Sequence, residues 1–347
     1  MKVLMIGPAR SVNGGISAVV NNYYKAGLGQ KVELQYIGTM EDGSKWHKLG
    51  VAVKALIQFI KVVSGYDIVH INMASDSSLY RKLPFIHLAK IFKKKLVIHQ
   101  HGGNFKHFYE AECGDRRRKF IKYTLNKADV FVVVAAYLED IFKAIVSENK
   151  ITVLPNAIEI PKEAVEKKSG QKLLFLGRLC KEKGIRELIE AVSELKEEYQ
   201  ALELYLGGVW EEQDLKKLAD QYSGFINQLG WISGKEKERY LKECNVFVLP
   251  TYFEGLPMSL LEAMAYKCTC IASEVGGIPQ VIEDGVDGIL ISPKDKESLK
   301  HAIRKVVLDQ EMQDRLGKAG RIKVEQEFEL KKCMDKLVKI YQNLLMK

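Results

Sequence analysis

Thr251-Tyr-Phe-Glu-Gly-Leu-Pro-Met-Ser-Leu-Leu-Glu-Ala-Met-Ala265 follows the apolar run Val246-Phe-Val-Leu-Pro250, and the pair decides how the chain is read. The apolar run predicts a buried strand. Gly255 and Pro257 predict a tight turn that opens a helix from about Pro257, because proline is tolerated at a first helical position. Glu254 then stands in the turn and Glu262 on the helix, eight positions apart. The helix start between them offers free backbone N–H groups and the positive end of a dipole, a ready place for an anion. In open α/β sheets, ligands bind beyond the carboxyl ends of the strands. An anion flanked by two carboxylates calls for a ligand with phosphate at its centre and hydroxyls on either side. A nucleotide-sugar has that form.

Working outward, apolar runs recur between amphipathic stretches. In the first half they are 2–6, 32–37, 67–71, 96–99, 130–134 and 151–154; in the second, 173–176, 202–206, 225–229, 246–249, 269–272 and 288–291. Strands alternating with helices predict parallel sheets with right-handed crossovers. The polar stretch 161–170 reads as a connector. The expected organisation is an N-terminal domain over 1–160, a linker over 161–170, a C-terminal domain over 171–327 and a closing helix over 328–347. Leu330, Cys333, Leu337, Ile340 and Leu344 give that last helix an apolar face.

Composition excludes several classes. At 347 residues the chain can hold two cores, and no run approaches the roughly 18 apolar residues of a membrane span. The start, Met1 to Gly7, reads as a strand rather than a signal peptide, so a cytoplasmic location is expected. The six cysteines lack paired metal spacing, Cys268-Thr-Cys270 having no second pair. Net charge is +9, and it is uneven: residues 1–160 hold 23 Lys+Arg against 13 Asp+Glu, residues 161–347 hold 30 against 31. Such asymmetry points to an acidic partner of the first half.

Three basic patches could meet that partner: Lys45-Trp-His-Lys48 opening a helix to Val63, Arg81 to Lys95, and Arg116 to Lys119. The first mixes Trp46, Leu49, Val53, Leu56 and Ile60 with Lys54 and Lys61. That suits a helix lying on an anionic membrane, and equally one packing on a sheet. Nucleic acid is not expected, since no motif interleaves aromatics with these cations as single-strand binders do.

Further candidate residues cluster at strand ends. In the second half, Arg178 and Lys183 follow the strand at 173–176, where a planar guanidinium and an ammonium can clamp a diphosphate. Gly276-Gly277-Ile-Pro279 permits close backbone approach to a ligand. In the first half, Gly14 and Gly15 follow the first strand without matching a dinucleotide or P-loop fingerprint. Val97-Ile-His-Gln-His-Gly-Gly103 places His99 and His101 on one strand face, with His101 at the glycine-bounded end. His70 reads as a core histidine. No Asp-x-Asp, Gly-x-Ser-x-Gly or His-Glu-x-x-His motif is present, so no metal or other cofactor is expected.

Taken as a set, Phe253-Glu-Gly-Leu-Pro257, the Glu254/Glu262 pair, Arg178 with Lys183, Gly276-Gly277, Gly14-Gly15 and His101-Gly102 resemble the retaining GT-B glycosyltransferases of glycosyltransferase family 4. The likeness spans nearly the whole chain and is strongest from about 150 to 292. It implies two Rossmann-like doubly wound parallel-sheet domains facing across a cleft, donor in the C-terminal one and acceptor in the N-terminal one. By this resemblance Glu262 binds the ribose hydroxyls, Arg178 and Lys183 the diphosphate, and Glu254 the donor sugar. The amides of Gly255, Leu256, Pro257, Met258 and Ser259 stand near the donor, prolyl nitrogen aside, and His101 near the reacting sugar. It also implies that the final helix returns to the first domain. One departure is Gln280, where the family often carries glutamate.

The expected activity is therefore retaining transfer of a hexose-type sugar from a UDP- or GDP-sugar to an acceptor. The basic first half suggests a lipid-linked glycan of bacterial surface polysaccharide and a peripheral place at the inner membrane face. The rivals are a nucleotide-sugar epimerase on the same architecture and a non-catalytic nucleotide-sugar or glycan-binding protein. A Rossmann dehydrogenase is disfavoured by the missing Gly-x-Gly-x-x-Gly.

Overall fold

Among the described residues twelve short segments become strands, and the inner ones (Lys2–Gly7, Ile68–Met73, Val246–Leu249 and Thr269–Ser273) are buried along nearly their whole length, as parallel strands covered on both faces require. The computed structural model describes residues 1–162 and 170–346. Of the expected connector, residues 163–169 lie outside the described residues, as does Lys347. The chain divides into two units, Met1–Glu159 with the closing helix Leu330–Met346, and Ile160–Glu329.

The first unit holds β1 (Lys2–Gly7), β2 (Glu33–Gly38), β3 (Ile68–Met73), β4 (Lys95–Gln100), β5 (Val130–Val133) and β6 (Ile151–Val153) in the order 2-1-3-4-5-6, all parallel. The second holds β7 (Lys172–Leu176), β8 (Glu203–Gly207), β9 (Ile226–Gly230), β10 (Val246–Leu249), β11 (Thr269–Ser273) and β12 (Ile289–Ile291) in the order 12-11-10-7-8-9, again parallel. Each sheet reverses its winding once, between β1 and β3 in the first and between β7 and β10 in the second. A doubly wound sheet opens a crevice at that reversal, beyond the strand ends.

The closing helix belongs to the first core. It buries Leu330, Cys333, Met334, Leu337, Tyr341 and Leu344, so Tyr341 rather than Ile340 fills the inner face. Lys31 Nζ donates to Asp335 Oδ1 at 2.7 Å, and the Tyr341 hydroxyl hydrogen-bonds the buried His70 ring. All six cysteines are buried thiols.

The helix Lys45–Val62, capped by the Ser44 hydroxyl accepting from the His47 amide at 3.2 Å, has two apolar faces. Ala55 and Phe59 pack inward. On the other side Trp46 is 82% exposed, with Leu49, Val53, Ile57 and Ile60 about half exposed in the same row. The outward row thus includes Ile57, whereas Leu56 is half-buried.

At the second winding reversal, Gly184 sits against the end of β10. Its φ is 66°, and a Cβ there would lie 2.0 Å from the Pro250 carbonyl oxygen. Both the left-handed backbone and the contact demand glycine. Gly184→Ala is expected to cost about 2–4 kcal/mol, from backbone strain and the forced separation of two loops. Its urea midpoint should fall accordingly, and a midpoint matching the unsubstituted protein would contradict the packing.

Candidate active site

Two loops leave the carboxyl ends of β7 and β10 as neighbours. The β7 loop runs from Gly177 through a single helical turn, Lys181–Lys183, to Gly184 and the helix Ile185–Glu198. The β10 loop runs from Pro250 to Pro257 and enters the helix Met258–Ala265. Backbone bonds lock them together: the Tyr252 amide donates to the Glu182 carbonyl at 2.8 Å, and the Thr251 hydroxyl donates there at 3.2 Å. Fixed this way, Lys183 donates from Nζ to Glu254 Oε1. Both side chains are only about one-seventh exposed, at 15% and 14%, so water screens this pair weakly.

The third loop joins from the end of β11. Gly276, at φ 58°, turns the chain so that the Gly277 amide donates to the Gly255 carbonyl at 2.9 Å. Leu256, Pro257 and Met258 are buried behind it, and Ser259 is half-buried. The first turn of the helix Met258–Ala265 has no acidic residue and no side-chain cap, which leaves its dipole uncompensated.

Two of the expected residues have partners that sequence reading did not supply. Arg178 does not meet Glu254; its Nη1 donates to both Glu211 oxygens, at 3.1 and 2.9 Å, in a half-exposed pair. Glu262 accepts at Oε1 from Lys237 Nζ at 2.7 Å. Lys237 lies in the helix Gly234–Glu243, within a Lys-Glu-Lys-Glu-Arg run that looks like an ordinary solvated face. Cys180, between the cations in sequence, is a buried thiol, and burial pushes it up to about 11. Gln280 is exposed in the short helix Ile278–Val281. Among the described residues, no three His, Cys, Asp or Glu side chains are placed to share a metal ion.

His101, Gly14 and Gly15 belong to the first unit. Gly14 precedes the helix Gly15–Lys25 with extended backbone, so neither glycine is required by a left-handed turn there. His101 follows β4 and is half-buried; its Nε2 bonds Asn72 Oδ1 at 2.9 Å. Asn72 Nδ2 donates to the Ile6 carbonyl at 3.2 Å, so its oxygen is the end that faces His101, and Nε2 carries the proton. His99 and His101 stack at 4.1 Å between ring centres, and His70 lies 5.4 Å beyond His99. Burial drives His70 and His101 down to about 3, with a hydrogen bond to Asn156 opposing it at His101. His99 is pushed well down by burial, with its two neighbours adding to it. All three rings are neutral near pH 7.

Residues 156–323 match the family model described as glycosyl transferases group 1, and residues 31–161 match that described as glycosyltransferase family 4. The chain belongs to the family 4 glycosyltransferases. An uncharacterized glycosyltransferase of Methanocaldococcus jannaschii is 29% identical, over 76% of this chain and 72% of its own length. The UDP-Gal:α-D-GlcNAc-diphosphoundecaprenol α-1,3-galactosyltransferase of Escherichia coli is 26% identical, over 84% of this chain and 80% of its own. The solved sucrose-phosphate synthase of Thermosynechococcus elongatus superimposes with a TM-score of 0.84 at 18% identity, covering 100% of this chain and 99% of that one. That likeness establishes the GT-B fold for this glycosyltransferase.

The three neutral histidines make the glycosyltransferase sensitive to acid. Their unfolded forms take up protons near pH 6.5, whereas the folded rings of His70 and His101 resist until about 3. Stability present above pH 6.5 is therefore lost as pH falls toward 3. Thermal midpoints measured from pH 7 to 4 should drop, and His99→Gln should make that slope shallower. Equal slopes would show that His99 is not buried neutral.

Proposed function

We propose that this glycosyltransferase moves a hexose-type sugar from a UDP- or GDP-sugar to a lipid-linked glycan, with retained anomeric configuration, in building a bacterial surface polysaccharide. The observation that carries the donor part is the Lys183–Glu254 pair held at the winding reversal between β7 and β10. Without a donor the two charges satisfy each other. A diphosphate offers Lys183 a doubly charged partner, which frees Glu254 to accept hydrogen bonds from the sugar hydroxyls. Arg178 would exchange Glu211 for phosphate oxygens, and Lys237 would give up Glu262 to the ribose. The galactosyltransferase relative, whose name specifies a UDP-linked hexose and a diphosphate-linked lipid acceptor, supports the same reading.

In the proposed reaction, the bond from the anomeric carbon to the diphosphate oxygen breaks and a bond to the acceptor oxygen forms on the same face. The acceptor's proton passes to the departing diphosphate. Negative charge grows on that diphosphate, where Lys183, Arg178 and the helix start at Met258 can stabilise it. Glu254 positions the sugar, and no carboxylate nucleophile or metal ion is called on. His101, neutral and fixed by Asn72, lines the acceptor side as a polar wall that adds no competing charge.

Glu254→Gln and Arg178→Ala should each lower kcat/KM by about 10²–10³ while leaving the circular dichroism spectrum unchanged. Radiolabelled transfer to a lipid-diphosphate acceptor measures this, and full activity in both variants would refute the assignment. Incubating donor alone should yield no isomerised sugar; an isomer would make the protein an epimerase.

The outward row Trp46, Leu49, Val53, Ile57 and Ile60, edged by Lys45, Lys54 and Lys61, suits a peripheral place on an anionic membrane. Among the described residues, no helix is long and apolar enough to cross one. Sedimentation with phosphatidylglycerol vesicles at low salt should carry the protein down, and Ile57→Glu should weaken this at least tenfold. Protein left wholly in the supernatant would refute membrane association.

A further inference from the structure

We propose that a cavity of about 670 Å³ in the first unit binds the diphosphate end of the lipid-linked acceptor, with Arg10 and Lys54 on its phosphates. The proposal rests on the acceptor class argued above and adds where that acceptor is held. The cavity lies along the edge strand β2, beside the loop that follows β1, and reaches beneath the helix Lys45–Val62. Its size is in the range of ligand pockets generally.

Arg10 is ordered in advance. Its Nε donates to Asn21 Oδ1 at 2.8 Å, Asn21 Nδ2 donates back to the Arg10 carbonyl at 3.0 Å, and the guanidinium lies 3.7 Å from the centre of the Tyr24 ring. Asn21 and Tyr24 both project from the helix Gly15–Lys25. An arginine held by two neutral side chains keeps its charge uncancelled. Neither Arg10 nor Lys54 has a carboxylate partner among the described residues. The one acid in the wall, Glu41, is 3.3 Å from His47 Nε2. A guanidinium fixed in advance and an ammonium in the same wall, neither of them paired with its one acid, make a phosphate-binding arrangement.

The lipid part follows from the helix surface. At about 3.6 residues per turn, Trp46, Leu49, Val53, Ile57 and Ile60 share one exposed row, while His47, Val51 and Gln58 point to the cavity. Lys54 falls between the two, on the seam. A second, smaller hollow continues along that seam between Lys54, Ile57, Gln58 and Lys61. A phosphate on Lys54 therefore has an apolar row beside it on which a hydrocarbon chain can lie. In that sheet β4 is three strands from β2, which puts His101 on the order of 14 Å from the cavity's β2 wall. The diphosphate and the sugar it carries together span a distance of that order.

Farnesyl diphosphate is the probe, titrated calorimetrically into full-length protein saturated with UDP so that the donor site is closed to it. It should bind, and Arg10→Gln and Lys54→Gln should each weaken it about tenfold or more. Inorganic pyrophosphate should bind more weakly yet depend on the same two residues, and farnesol should not depend on Arg10. No binding of farnesyl diphosphate, or equal binding by both variants, overturns the site. Pyrophosphate binding as tightly as farnesyl diphosphate overturns its lipid half. Thermal melting confirms that each variant is folded. Transfer to a lipid-diphosphate acceptor separates the two readings: a bound probe without any transfer sinks the acceptor class alone, and transfer with unaltered KM in both variants sinks the cavity alone.

Discussion

A single close approach organises the second unit: the Gly184 backbone set against the Pro250 carbonyl, in a space no side chain can share. Because of it, the loop after β7 and the loop after β10 form one surface. Hydrogen bonds from Tyr252 and Thr251 to the Glu182 carbonyl then hold them together. Lys183 can meet Glu254 only because the residue after it is a glycine. The charge pair, the uncapped helix start at Met258 and the Gly277–Gly255 bond all descend from the same local packing. The three loops thus owe their placement to backbone contacts, on which the side-chain pairs are mounted.

The first unit solves a different problem. A polar group at the end of β4 must be placed without bringing a charge into the sheet. Three histidines in a column remain neutral through burial, and Asn72 settles which nitrogen of His101 carries its proton. Tyr341, from the far end of the chain, closes the bottom of that column. The result is a polar but uncharged wall, while the cationic residues of the unit stand apart at Arg10 and along the helix Lys45–Val62.

The inner strands were legible because parallel strands buried on both faces must be runs of apolar residues, and the partly buried edge strands β2, β6, β9 and β12 by their place in the alternation with helices. Observed and expected ends differ by one or two residues. Glu254, Lys183 and Arg178 stand out as candidates in the sequence because each sits between a strand and the helix after it, and Glu262 because it follows Glu254 by eight positions. Their partners were not. Glu211 and Lys237 lie on exposed segments whose composition is that of any solvated surface, and only sheet order brings them to the site. His70 and Tyr341 are separated by 271 positions, beyond any periodic signal. The helix Lys45–Val62 was ambiguous for a physical reason, since apolar residues at helical spacing look alike whether they face a sheet or open water. Here both occur, on opposite sides.

The closing helix has a consequence for how the protein is made. Ribosomes deliver a chain from its N-terminus, and the segment that seals the first core, with Leu337, Tyr341 and Leu344, emerges only after the whole of the second unit. During synthesis the sheet of β1 to β6 is therefore complete in strands but uncovered where that helix docks, with His70 lacking its tyrosine. Domains generally form in the order they are translated. In this protein the first core is sealed only once residues 330–346 have followed the second unit off the ribosome.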